Sequence, residues 1–140
     1  MGSQRENLRA ENDDLPCPEV RRWAEEKYPL VAYYCELFPK GMKSRWDQRI
    51  YVDLYSGAGV SKIRGTQTFL KGSPLIALSV TTPFDRYIFC EQDEKLLKAL
   101  RARAARIAPH ADAKYVPGNC DERVDCLLAH PERITCKHCP

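Results

Sequence analysis

The chain is 140 residues long, 44% hydrophobic and 29% charged, with a formal net charge of +3. That length bounds it to one domain with room for a core, and that composition excludes a largely disordered chain. The mild positive charge permits nucleic-acid binding without demanding it. Seven scattered cysteines, at positions 17, 35, 90, 120, 126, 136 and 139, with no apolar leader ahead of them, read as free thiols in a reducing cytoplasm. No stretch approaches the length of a membrane span, and Glu6 breaks the myristoylation pattern. The expectation is a soluble, cytoplasmic chain with no membrane partner.

Residues 1–14 carry many charges and one large apolar residue, Leu8, which predicts a disordered or fraying terminus. Residues 15–48 form a helical segment. Pro16-Cys17-Pro18 is extended, and from Glu19 to Met42 apolar residues recur at Val20, Trp23, Ala24, Tyr28, Val31, Tyr34, Cys35 and Phe38. Spacing of three and four makes that stripe one face of an amphipathic helix, expected to pack on the sheet. Pro29 is expected to kink it or split it in two.

The most informative stretch is Arg49–Ser61, RIYVDLYSGAGVS. A short run rich in β-branched and aromatic residues and closed by glycines reads as a buried strand entering a tight turn. Gly57 and Gly59 let the backbone turn sharply and approach a ligand where a Cβ would collide. In an open α/β sheet, the carboxyl end of the first strand is where nucleotides bind. Lys62 stands where the dinucleotide fingerprint wants its third glycine, which disfavours an NAD-dependent oxidoreductase, and no Walker lysine pattern is present.

Val60–Gly72, with Lys62, Arg64 and Lys71, reads as a basic, solvated loop on the binding face. Ser73 before Pro74 reads as a capping hydroxyl opening a short helix. Arg86–Glu91 is a second strand, ending in Glu91 where an acidic residue can accept from ribose hydroxyls. Glu91 could instead cap the next helix, although Asp93 is better placed for that. Glu94–Ala108 is the clearest helix, with Leu96, Leu97, Leu100, Ala104 and Ile107 inward and Lys95, Lys98, Arg101, Arg103 and Arg106 solvated. Ala113–Val116 is a third strand, closing in PGNCDE, where Asn119 or Asp121 can cap a helix over Glu122–Ala129. Residues 49–130 thus read as the first half of a doubly wound α/β sheet, with about three parallel strands. Residues 131–140 read as an irregular tail. Cys136 and Cys139 flank His138 with metal-site spacing, but one terminal CxxC lacks the second ligand pair, so no metal is expected.

The pattern D-x-Y-x-G-x-G, carried by Asp53, Tyr55, Gly57 and Gly59, resembles the first motif of S-adenosylmethionine-dependent methyltransferases. More specifically, LPCPEVRRWAEEKYPLVAYYCELF, YVDLYSGAG, GSPLIAL, PFDRYIFCE and PGNCDERVD resemble the three-Cys-motif partner (TcmP) family, in register from about Asp14 to Leu128. That resemblance implies a three-layer, class I methyltransferase-type Rossmann domain with S-adenosylmethionine as cofactor. By position it implies cofactor contacts at Asp53, Tyr55, Gly57, Gly59 and Glu91, with Asn119 or Asp121 offered to the adenine amino group. It also implies a partner protein, encoded nearby, with a three-cysteine motif of the radical-SAM iron–sulfur type. The chain departs from the family after Leu128, where a fourth strand and its catalytic motif should follow and HPERITCKHCP stands instead. A fragment, a frameshifted tail or completion of the sheet by another chain is therefore expected, with the first strand left as an apolar edge. Two functions compete: a methyltransferase-like enzyme acting on nucleic acid or protein, and a non-catalytic subunit binding the three-cysteine protein. No activating base is evident, since His110 and His130 read as surface residues.

Overall fold

The structure, a computed structural model, describes residues 7–123. Its elements run β1 (Arg9–Ala10), β2 (Glu19–Val20), α1 (Ala24–Met42), β3 (Ile50–Asp53), β4 (Val60–Ile63), β5 (Phe69–Lys71), α2 (Ser73–Leu78), β6 (Arg86–Glu91), α3 (Glu94–Ile107) and β7 (Ala113–Pro117). A further helical turn opens at residue 120. The fold is mixed α/β.

The three strands expected from the sequence make one sheet, in the order β3-β6-β7, parallel throughout. Its register sets Val52 beside Ile88 and Phe89 beside Tyr115. Alternation sends Tyr87 and Phe89 to one face and Ile88 and Cys90 to the other. The first pair joins Leu75, Leu97, Leu100 and Ala104 from α2 and α3, with Cys35 of α1, in the main core. Each fully buried aromatic there contributes about 1.5–3 kcal/mol of transfer free energy. Tyr51, Phe84, Tyr87 and Phe89 interlock with ring centroids 5.3–6.4 Å apart, in tilted and edge-on contacts that suit aromatic quadrupoles. On the second face, Ile88 and Cys90 pack with Cys120, Ile50, Leu54 and Val116. Among the described residues β3 pairs with β6 alone.

A second sheet, β1-β5-β4-β2, corrects three expectations. Val60–Gly72 is no solvated loop: β4 and β5 pair antiparallel, turning at Gly65, which takes a φ of +75°. Val60, Ser61, Ile63 and Leu70 are buried, while the charges that suggested a loop sit on the alternate positions and in the turn. The fraying terminus is also corrected for residues 7–14. Leu8 is buried against Ile63 and Leu70, and β1 pairs antiparallel with β5. Glu19 and Val20, expected to open the first helix, instead form β2 and pair parallel with β4, so that helix begins at Ala24.

Helix α1 runs unbroken through Pro29 and Pro39. Each proline removes one hydrogen bond, but Ala24, Tyr28, Cys35 and Pro39 bury one continuous stripe that keeps the two halves together. Two residues assigned to that stripe face out instead: Trp23 and Tyr34 are 50% and 62% exposed. In α3, Ile107 is also exposed, whereas Arg103, expected to be solvated, is buried. Asp93 caps α3 as expected, accepting from the Lys95 amide at 2.9 Å. Ser73 does not cap α2; Gly72 holds that position, and the Ser73 hydroxyl donates to Asp53.

Candidate functional site

Four elements hold the glycine turn through its backbone, one residue after another. The Tyr55 amide donates to Asp53 Oδ1 at 3.2 Å. The Ser56 amide donates to the Cys90 carbonyl of β6 at 3.0 Å. The Gly57 amide donates to Glu91 Oε2, one residue further along β6, at 2.9 Å. The Ala58 carbonyl accepts from Arg103 of α3 at 2.7 Å, and the Gly59 carbonyl from the Gly72 amide, also at 2.7 Å. Two of these donors, the Tyr55 and Gly57 amides, are held by half-buried carboxylate side chains; the other partners are backbone groups or the buried Arg103.

The two glycines do different work. Both have positive φ, +67° at Gly57 and +83° at Gly59. A Cβ at Gly57 would meet nothing within 4 Å, so the space over this residue is open. A Cβ at Gly59 would stand 2.9 Å from Leu100 Cδ1 and 3.1 Å from Leu75 Cγ. Gly59 thus lets the turn pack on α2 and α3, and Gly57 faces open space.

Beside Gly57, a shallow cleft of about 80 Å³ lies at the carboxyl ends of the strands, lined by Leu54, Tyr55, Glu91, Gln92, Gly118, Asn119 and Cys120. Of the residues assigned from sequence, Tyr55, Glu91 and Asn119 line it. Glu91 is less free than expected, since its second oxygen accepts from the Asp93 amide at 3.1 Å. Asn119 acts as a helix cap, accepting from the Asp121 amide at 2.9 Å. Asp121 lies one residue past the lining, with Oδ1 3.8 Å from Cys120 Sγ. Asp53 is turned elsewhere: its Oδ2 accepts from Ser73 at 2.5 Å and from the Tyr51 hydroxyl at 3.3 Å. It braces the turn against α2 and does not border the cleft. Cys136 and Cys139 lie outside the described residues; among those described, no cluster could hold a metal ion.

The electrostatics keep the Tyr55 phenol in the cleft as a donor. A hydrogen bond with Cys120, with the Cys120 and Asp121 charges behind it, pushes the exposed Tyr55 phenol above its usual range, so it is protonated at neutral pH. Burial pushes the Cys90 thiol up as well. On the opposite face burial raises Cys35 to about 11 and Tyr51 further still, and both stay neutral inside the core.

Several site residues escaped the sequence reading. Gln92 and Gly118 carry no pattern of their own. Ser56 is buried, and its hydroxyl has no hydrogen-bond partner among the described residues. Arg103 looked like one of many surface arginines on α3.

No family model, no curated protein and no solved structure matches the chain. No helix among the described residues is long and apolar enough to cross a membrane.

Proposed function

We propose that the chain is an S-adenosylmethionine-binding, methyltransferase-like domain of the three-Cys-motif partner type, acting on nucleic acid or protein where it is catalytic. The observation that carries this reading is the 2.9 Å bond between the Gly57 amide and Glu91. It joins the glycine turn after β3 to the carboxylate ending β6, at the sheet end where open α/β folds bind nucleotides. A carboxylate suits the two hydroxyls of a ribose, and a backbone N–H beside open space suits an anionic or carbonyl oxygen.

The residues present fit part of such a ligand. Nucleoside-sized sites enclose roughly 300–1,000 Å³, so a cleft of about 80 Å³ takes the ribose edge only. Binding therefore needs Glu91 to leave Gly57. The cofactor supplies the electrophilic methyl group; the protein orients it, with Glu91 holding the sugar and the turn holding the chain beyond it. Isothermal titration with S-adenosylmethionine tests the reading. A saturable heat is expected, weakened about tenfold or more by Glu91→Ala, since a charged hydrogen bond is worth about 1.5–3 kcal/mol. No heat at millimolar ligand removes the reading.

A second reading has its own support. The β3 edge, without a partner strand among the described residues, and the exposed Leu30, Tyr33, Tyr34 and Leu37 on α1 favour a non-catalytic subunit that docks the three-cysteine protein. Co-purification with that protein, from a chain that binds no S-adenosylmethionine, decides for it.

A further inference from the structure

We infer that Arg103, oriented by Asp13, is a positioning residue for the glycine turn, so that the N-terminal segment governs the order of the candidate ligand site. The inference rests on the ligand reading above for its consequence, and on geometry alone for its mechanism.

A guanidinium has five N–H donors in a rigid fork. Arg103 is 3% exposed, and all five of its donors have acceptors. Nε and one Nη2 donor engage Asp13 at 2.8 and 2.7 Å, as a bidentate pair. The second Nη2 donor reaches the Leu15 carbonyl at 3.1 Å. Nη1 donates to the Pro16 carbonyl at 2.9 Å and to the Ala58 carbonyl at 2.7 Å. Four of the five bonds go to residues 13–16, and the fifth to the centre of the turn.

That fifth bond matters because Ala58 stands between two glycines at positive φ, where the backbone has the most freedom to lose. The Ala58 carbonyl lies in the Ala58–Gly59 peptide plane, so holding it fixes that plane and narrows the torsions through which the Gly57 N–H, two planes upstream and bonded to Glu91, can swing. Asp13 does not touch the turn. It acts by holding the fork in the one orientation that aims Nη1 at Ala58. Arg106 adds a weaker contact to Asp13, at 3.7 Å.

Amide hydrogen exchange on the ligand-free chain tests this, with the Gly57 and Gly72 amides reporting on the turn and Ile88 and Phe89 on β6. Asp13→Asn keeps the shape and weakens the pair, and Arg103→Lys keeps the charge and loses the fork. Both are expected to speed exchange at Gly57 and Gly72 about tenfold relative to β6. Both are also expected to weaken S-adenosylmethionine binding severalfold. Equal acceleration at all four amides, or none at the turn, overturns the inference: Arg103 is then a stability element only. If the wild-type chain binds no S-adenosylmethionine, the ligand reading fails by itself, and the exchange ratio still decides whether Arg103 positions the turn.

Discussion

At the scale of single residues, the turn separates backbone strain from packing. A non-glycine residue at positive φ costs roughly 1–2 kcal/mol. Gly57→Ala should cost about that much, because its Cβ enters open space. Gly59→Ala carries the same strain and also forces Leu75 and Leu100 aside within a buried core, so a loss of about 3 kcal/mol or more is expected. Denaturant unfolding of the two variants checks the order, and equal losses would show that Leu100 yields freely. Ser56→Ala should run the other way. Its buried hydroxyl has no partner among the described residues, so deletion should leave stability unchanged or raise it by about 1 kcal/mol. A clear loss would mean the hydroxyl is satisfied in solution. The pH dependence follows from two aspartates. Hydrogen bonds from Arg103 hold Asp13 below its ordinary value, and the Arg49 amide and guanidinium do the same for Asp85. A depressed folded-state pKa gives stability that is present above the ordinary carboxylate pKa of about 3.9 and lost as pH falls through the folded value. Thermal unfolding followed from neutral pH to about pH 2 should show that loss, and Asp13→Asn should flatten it.

At the scale of elements, α1 carries a clear prediction. Its inner stripe is buried, while Leu30, Tyr33, Tyr34 and Leu37 are 50–71% exposed on the outer side. Replacing Leu30 and Leu37 with glutamine should leave thermal stability within about 0.5 kcal/mol, whereas Cys35→Ser, which buries a hydroxyl in the core, should cost about 1–3 kcal/mol. Strands β3, β6 and β7 and helix α3 were legible because each carries a strong, local pattern: apolar runs closed by glycine or acid, and a period of three and four with an Asp93 cap. The β4–β5 hairpin was not, because β4 shows no period-two alternation: Val60 and Ile63 lie three residues apart in different core clusters, and Lys62, Arg64 and Lys71 give the stretch the composition of a loop. Nor was the second sheet, whose outer strands have two residues each and form only because β4 and β5 offer edges. Trp23 and Tyr34 were misplaced because a helix with an aromatic on nearly every face has no unique inner stripe. At the site, the meeting of Gly57 and Glu91 could be read from strand order, while the Arg103 clamp depends on residues 13–16 crossing α3, a contact between segments almost ninety positions apart.

At the scale of the whole molecule, the outer edge of β3 has no partner strand among the described residues, and α1 exposes an aromatic side; ring contacts from Tyr34 through Phe38 and the buried Phe84 to Tyr51 tie both elements into the core. An unpaired strand edge and a row of exposed aromatics each favour association. Sedimentation velocity should show concentration-dependent self-association that the Leu30 and Leu37 double variant reduces; a monomer at every concentration would mean that these surfaces are inert. The central claim is that the glycine turn and the carboxylate ending β6 act as one ligand site. Its most direct test is a ¹H–¹⁵N spectrum recorded while S-adenosylmethionine is added. The Gly57 and Asp93 amides, both bonded to Glu91, should shift together along one saturation curve, with the core amides of Ile88 and Phe89 still. If neither amide moves, or if shifts gather elsewhere on the molecule, the claim is contradicted.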